Sequence, residues 1–420
     1  MDNPARARIL KGMDSDSDIL IVGGGLNGPT LALALAQGGF RVTLVDARPA
    51  EKRADAGFDG RAYALALASV RALDAIGIWP ELAERAQPIL GIRASQGHPG
   101  KGAFPLFLGF DHTEIEEGPM GQMVEDRHLY GAFLDAMTAS AGITLHHGVS
   151  VIAQETGDTG AQVTLDTGKT LSARVLVGCD GRDSPTARRA GIRRWGWDYH
   201  QTALVCAIAH DLPHEGIAHQ FFMPTGPLAI LPLPGNRSSI VWSEASETAR
   251  AIAALDDDAF LEVLRPRFGS FLGEIALEGQ RFAYPLRLTV AERFVASRLA
   301  LLGDAAHGVH PIAGQGLNLG LRDMAALAEV LITATRRGED IASPLVLERY
   351  QAWRRFDTMK MALGMDAVNR LFSNDNPFLE LARGLGLGVV NALPGLRRHM
   401  IREAAGLNAA QPRLLQGLPI

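Results

Sequence analysis

The sequence predicts an α/β protein: a nucleotide-binding domain assembled from separate stretches of chain, an antiparallel sheet inserted into it, and a helical region at the C-terminus. Three observations predict this. A β-branched run, Asp18-Ile19-Leu20-Ile21-Val22, is followed at once by a glycine cluster and a helical segment. A second apolar run, Leu299-Ala300-Leu301-Leu302, stops at Gly303-Asp304 and leads through a glycine-bearing loop into another helical segment, 317–336. Residues 89–110, 200–245 and 278–290 alternate or run apolar with Gly and Pro breaks, the pattern of antiparallel strands. At 420 residues the chain is long enough for two domains, and the interleaving of these segments makes both discontinuous.

Taken in order, the first 17 residues are polar, contain no apolar run of the kind a secretory signal needs, and read as a flexible tail. Asp18–Val22 suits a buried parallel strand. Gly23, Gly25 and Gly28 then supply G-x-G-x-x-G. The first glycine allows the tight turn, the second lets a pyrophosphate approach the backbone, and the third lets the helix pack closely on the strand. Pro29 falls in the first helical turn, where its missing N–H costs little. Gly38-Gly39 ends the helix, and Arg41–Asp46 reads as the second strand of a Rossmann-like unit. Asp46, 18 residues past Gly28, stands where a dinucleotide site needs a carboxylate for the adenosine ribose. The fingerprint admits NAD or FAD. No second fingerprint appears, so a nicotinamide cofactor used beside FAD would bind transiently.

The stretch from Gly303 to Asn318 is the centre of the sequence. A strand ends in the carboxylate of Asp304. After His310-Pro311, the glycines Gly314 and Gly316 bracket Gln315 and lead through Leu317-Asn318 into a long helix. The N-terminus of such a helix presents unpaired N–H groups and partial positive charge, a seat for an anion. His307 and His310 lie in this loop without a carboxylate–cysteine neighbourhood, which argues against a metal. His146, His147, His210, His214 and His219 read as surface or turn residues, and Phe221, Phe222 and Met223 either as core or as the lining of a prenyl pocket.

Composition closes off other classes. Lys plus Arg total 41 against 46 Asp plus Glu, a net charge of −5, which disfavours a nucleic-acid binder. The two cysteines match no zinc spacing and suit a reduced, cytoplasmic setting. No run approaches the length of a membrane-spanning helix. The stretch 377–407 mixes Leu, Val and Met with Arg383, Arg397, Arg398 and Arg402, a pattern suited to a membrane surface or a partner complex.

A third segment, Val177-Gly178-Cys179-Asp180-Gly181-Arg182-Asp183-Ser184, resembles the Asp-Gly motif of class A FAD-dependent aromatic monooxygenases. With the Gly23–Gly28 fingerprint and Gly303-Asp304 it occurs in that family's order. Asp59-Gly60-Arg61-Ala62-Tyr63-Ala64-Leu65, Val124-Glu125-Asp126-Arg127, Trp197-Asp198-Tyr199-His200-Gln201 and Ala313-Gly314-Gln315-Gly316-Leu317-Asn318 narrow the resemblance to the ubiquinone-biosynthesis hydroxylases of the UbiH/UbiF type. The similarity runs over nearly the whole chain.

The resemblance implies a p-hydroxybenzoate hydroxylase-like fold with FAD as cofactor and NADPH or NADH as transient co-substrate. The first motif then holds the ADP half, Asp304 the ribityl chain, and Asp180-Gly181 lies near the pyrophosphate. Arg61 and Arg127 lie close to the cofactor, and Pro311 to Leu317 pass beside the flavin ring. It further implies hydroxylation of a polyprenylated phenol through a C4a-hydroperoxyflavin. No residue identifies itself as a general base. The expected division is a tail, 1–17; an FAD-binding domain, 18–88, 115–190 and 291–345; a substrate domain, 89–114 and 191–290; and a C-terminal helical region, 346–420. Two other readings stay open: the same architecture acting on another aromatic, and a redox-silent FAD-fold protein that binds prenyl groups.

Overall fold

The computed structural model describes residues 15–53, 55, 57–98, 100, 102–310, 314–372, 390–407 and 410–420. Among them, two eight-stranded sheets and one of three strands organise the chain. In the first, the strands run in the order Val295–Ala296, Leu299–Leu301, Thr170–Gly178, Ser17–Val22, Val42–Asp46, Ile143–His147. From Leu299–Leu301 to Ile143–His147 all neighbours pair in parallel. The hairpin Val151–Thr156 and Ala161–Leu165 extends it antiparallel from Thr170–Gly178. The central strands are buried on both faces, which is why they read as continuous β-branched and leucine runs. Helix Asn27–Gln37 follows the first strand, and helix Gln315–Arg336 begins two residues before the expected 317, on Gly314 in the left-handed region (φ +63).

The second sheet has the order His307–Gly308, Ile275–Ala291, Arg194–His210, Arg237–Ala245, Gly226–Leu233, Ile217–Met223, Gly91–His98, Gly102–Asp111. It is antiparallel except where Ile217–Met223 pairs in parallel with Gly91–His98. The exception arises because 91–111 enters from an earlier pass of the chain. The Leu90 N–H donates to the Gly216 carbonyl at 2.9 Å, which fixes the direction of entry. His307–Gly308 forms the opposite edge, pairing with Thr289 and Val290. The chain that leaves the first sheet at Leu301 therefore joins the second within six residues. A small sheet of Ala62–Ala66, Gly121–Glu125 and Gln87–Ile89, which the sequence does not announce, completes the set.

Two boundaries differ from expectation. Residues 15–17, counted with the tail in the sequence, are described and held to the first sheet, because the Asp16 carboxylate accepts the Ser172 N–H at 2.8 Å and its hydroxyl at 2.9 Å. At the other end, the turn Arg413–Gln416 buries Leu414 and Leu415 in the core of the first sheet. The last residues thus pack with the nucleotide-binding elements. Helix Pro344–Phe372 crosses from that core, where the Tyr350 hydroxyl donates to the Leu301 carbonyl at 2.8 Å, to the second sheet, where Phe372 stacks on Phe222 at 4.1 Å. Phe221 and Met223 are core residues.

Candidate cofactor site

Each glycine of the fingerprint does a different job. Gly23 has φ +112, and a Cβ there would overlap the Cys179 carbonyl. At Gly28 a Cβ would overlap the Gly23 carbonyl. A Cβ at Gly25, by contrast, meets nothing within 4 Å. The turn and the helix contact are therefore packed, and the backbone between them faces open space, as a pyrophosphate requires. Asp46 ends its strand 5% exposed, with one carboxylate oxygen accepting the Arg48 N–H at 3.1 Å. That carboxylate lies against Gly24, so it borders the same loop.

The three motifs converge. Gly23 rests on Cys179-Asp180, and Gly303 (φ +60) rests on the Asn27 side chain at the start of the first helix. The Asn27 Oδ1 is buried there without a hydrogen-bond donor among the described residues. Arg182 Nε donates to Asp304 Oδ2 at 3.2 Å, and Arg194 donates to the Asp304 carbonyl at 2.8 Å. Asp180 turns inward: its carboxylate accepts the Ser184 hydroxyl at 2.5 Å and the Thr186 N–H at 2.8 Å, capping the short helix Pro185–Arg189. Gly181 beside it has φ +82 and open space over its Cα.

The long helix begins at Gly314, with Gln315 buried and Leu317 packed against the core. A Cβ on Gly316 meets nothing within 4 Å. Asn318 is committed to the protein. Its Oδ1 accepts from the Ala66 N–H and the Ser69 hydroxyl, and its Nδ2 donates to the Ala64 and Gly314 carbonyls. All four hydrogen-bonding positions of the amide are filled, so only its backbone is available to a ligand. Arg61 pairs with Asp59 at 2.7 Å and Asp126 at 3.0 Å. Arg127 pairs with Glu125 at 2.7 Å, a buried carboxylate that also holds Arg237. Pro311 lies outside the described residues.

Sequence reasoning missed what stands behind this loop. Asp323, fully buried on the long helix, accepts from His307 Nε2 at 2.6 Å, Arg354 Nε at 2.8 Å and the Gly303 N–H at 3.1 Å. Arg354 also reaches Asp357 at 2.6 Å. Burial pushes the Asp323 carboxyl up, but the charges of His307 and Arg354 outweigh it and hold it below the ordinary carboxylate range. The available signal was Arg322-Asp323, two adjacent charges flanked by Leu319-Gly320-Leu321 and Met324-Ala325-Ala326-Leu327-Ala328 in the helix.

A second buried polar group surrounds His310, with Tyr199, Gln201, Asn369 and Asp366. Two further histidines serve locally. His210 is buried rather than at the surface, bonded to the Leu212 carbonyl and Ser238, and His214 bonds to the Leu233 carbonyl.

The family model described as an FAD binding domain matches residues 16–362. The chain is 46% identical over 410 residues to ubiquinone hydroxylase UbiL of Rhodospirillum rubrum, covering 97% of this chain and 94% of that one. It is 36% identical over 393 residues to the 3-demethoxyubiquinol 3-hydroxylase of Escherichia coli, covering 93% and 99%. Its fold matches the crystal structure of p-nitrophenol 4-monooxygenase PnpA from Pseudomonas putida with a TM-score of 0.79 over 95% and 100% of the two chains, at 19% identity. A packed turn with an open backbone face at Gly25, and a carboxylate at the end of each flanking strand, suit FAD. The chain belongs to the FAD-binding-domain family and, within it, to the ubiquinone-biosynthesis hydroxylases of the class A flavin monooxygenases.

Proposed function

We propose that this protein is an FAD-dependent, NAD(P)H-using monooxygenase that hydroxylates the aromatic ring of a polyprenylated phenol on the route to ubiquinone. The observation that carries the reading is near-full-length similarity to UbiL and to the 3-demethoxyubiquinol 3-hydroxylase. Bound FAD, reduced by NAD(P)H, would activate O₂ and supply the electrophilic oxygen. The chain's part is to bind, orient and keep water out. Gly23, Gly25 and Gly28 give the pyrophosphate its backbone seat, and Asp46 takes the adenosine ribose. Asp304, held by Arg182, takes the ribityl hydroxyls. The helix end at Gly314–Leu317 stabilises negative charge on the flavin ring. Arg61 and Arg127 border the cofactor while their own carboxylate partners hold them in place. Segments 18–88, 115–190 and 291–345 bind FAD, and 89–114 with 191–290 cover the substrate.

A prenylated substrate resides in a bilayer. No helix among the described residues is long and apolar enough to cross one. Helix Pro394–Ala404 offers an alternative, a peripheral contact with the membrane or a partner complex. Leu393, Leu396 and Met400 are exposed along it beside exposed Arg398. Residue Arg383 of the same basic stretch lies outside the described residues.

The test is quinone analysis of a strain lacking the gene. Accumulation of a polyprenylphenol one hydroxyl short is the expected result, and its structure names the ring carbon. Normal ubiquinone in a genome without a redundant hydroxylase overturns the substrate assignment.

A further inference from the structure

The polar group around His310 leaves two of its buried atoms without a partner among the described residues, the Tyr199 hydroxyl and one ring nitrogen of His310. Strand Arg194–His210 shifts register against Ile275–Ala291 between Asp198 and Gln201, and His200 within the shift has φ +54. Such a bulge re-aims side chains. Here Tyr199 meets His310 edge to face at 5.1 Å, and Gln201 lies against both His310 and Asn369. Trp197 Nε1 donates to Asp366 Oδ1 at 3.1 Å, fixing the end of helix Pro344–Phe372 on the same strand.

Hydrogen-bond logic then determines the state of His310. The Thr225 carbonyl only accepts, so the group of Gln201 that faces it at 2.8 Å is Nε2, and Oε1 points the other way. That Oε1 is the partner of Asn369 Nδ2 at 3.1 Å and of His310 Nε2 at 3.3 Å. His310 Nε2 must therefore carry the hydrogen. Its Nδ1 is left as a bare acceptor, buried, with no donor among the described residues, on a side chain 0% exposed. Burial, reinforced by Arg182, pushes the imidazole pKa down to about 4, so the ring stays neutral and Nδ1 keeps its lone pair. A buried acceptor without a donor costs about 1–3 kcal/mol, which an incoming O–H recovers.

We propose that His310 Nδ1 receives the hydroxyl of the phenolic substrate, with Gln201 and Asn369 as positioning residues that fix its tautomer. The inference rests on the function proposed above. Tyr199 and Gln201, which touch His310, come from strand Arg194–His210, part of the segment that covers the substrate in that reading, and Asn369 comes from the end of helix Pro344–Phe372. They do not come from the strands that carry the fingerprint and Asp304. A neutral acceptor at this place moves no proton. It draws on the O–H bond, raises electron density on the ring carbons ortho and para to the oxygen, and sets which edge of the ring faces the flavin.

The test compares ortho-geranylphenol with its methyl ether, titrated into holoenzyme and followed by the change in bound-FAD absorbance. Wild type is expected to bind the phenol about tenfold more tightly, because the ether leaves Nδ1 without a donor. His310→Gln keeps a donor toward Gln201 but no acceptor at Nδ1, and is expected to bind the two equally with FAD content unchanged. His310→Asn keeps an acceptor in place of Nδ1 and is expected to preserve the preference. Equal preference in both variants overturns the assignment, whether it is kept or lost. So does loss of FAD affinity with the preference intact, which would make the donor a cofactor hydroxyl or N–H. The ratio stays measurable if quinone analysis overturns the pathway, so the two failures are distinguishable.

Discussion

The imidazole of His307 ends on a carboxylate; that of His310 leaves Nδ1 without a donor among the described residues. Both are at most 1% exposed. His307 belongs to a network closed in charge, in which Asp323 and Arg354 each have a counter-charge, the Gly303 backbone is tied in, and Arg354 Nη2 is the buried nitrogen without a partner among the described residues. His310 belongs to a polar group in which its own Nδ1 and the Tyr199 hydroxyl are the buried atoms without a partner among the described residues. The glycines divide in the same way, Gly23 and Gly28 packed, Gly25 and Gly316 open. In both pairs one member is filled by the protein's own contacts and the other keeps an unfilled position, Nδ1 of His310 and the space over Gly25 and Gly316. This separates the two kinds of residue inside one motif.

The largest effect comes from breaking the closed network. Arg354→Met leaves Asp323 buried with His307 as its remaining ionic partner. It is expected to cost about 3–5 kcal/mol of unfolding free energy, read by urea denaturation of the holoenzyme. His310→Gln, measured alongside, is expected to cost under about 1 kcal/mol. Comparable losses in both would erase the distinction between frame and site.

Next is the contrast between glycines. Gly25→Ala is expected to leave apoprotein stability within about 0.5 kcal/mol, since its Cβ meets nothing, and to weaken FAD binding by about ten- to a hundredfold. Gly28→Ala overlaps the Gly23 carbonyl and is expected to yield little folded protein. Tight FAD binding by Gly25→Ala would mean that the open backbone face is not the pyrophosphate seat.

Acid sharpens the comparison further. Burial lowers His310 to about 4, and burial with the nearby Arg93 charge lowers His219 to about 4, from an ordinary 6.5. Between those values the unfolded chain binds more protons than the native one. Stability is therefore complete above pH 6.5 and falls as the pH drops toward 4, by on the order of 1 kcal/mol per pH unit for each imidazole. His219→Leu is expected to remove about half of that slope in urea midpoints measured across the window. An unchanged slope would mean that other groups set the acid response.

What the sequence displayed depended on whether a residue's identity encodes a backbone need. Gly23, Gly25 and Gly28 were legible because a turn, a close approach and a tight packing contact each select glycine. Asn318 was legible as part of the helix start. The direction of its amide was not, because that depends on Ala64 and Ala66 some 250 residues away. The Asp323–Arg354 pair sits on two helices 31 residues apart and becomes visible only when they pack. His310 stood out as a loop histidine. Its tautomer follows from a bulge on one strand and a turn carbonyl at Thr225, which no local pattern records.

The smallest effect tests whether commitment to the frame means stability at the surface too. Arg397 pairs with Glu114 at 2.9 Å and Arg402 with Glu117, so two arginines of the basic C-terminal stretch are held by the 112–118 segment. These pairs are partly exposed, where solvent screens charge and side-chain ordering offsets most of the gain. Arg397→Ala is expected to cost at most about 1 kcal/mol, and less at high salt. Arg398 is exposed on the same helix. In a vesicle-flotation assay with anionic lipid, Arg398→Ala should weaken any association more than Arg397→Ala, because a guanidinium already seated on a carboxylate has less to offer a phosphate. The reverse order would place the membrane-facing side of this helix where the structure has its packed side.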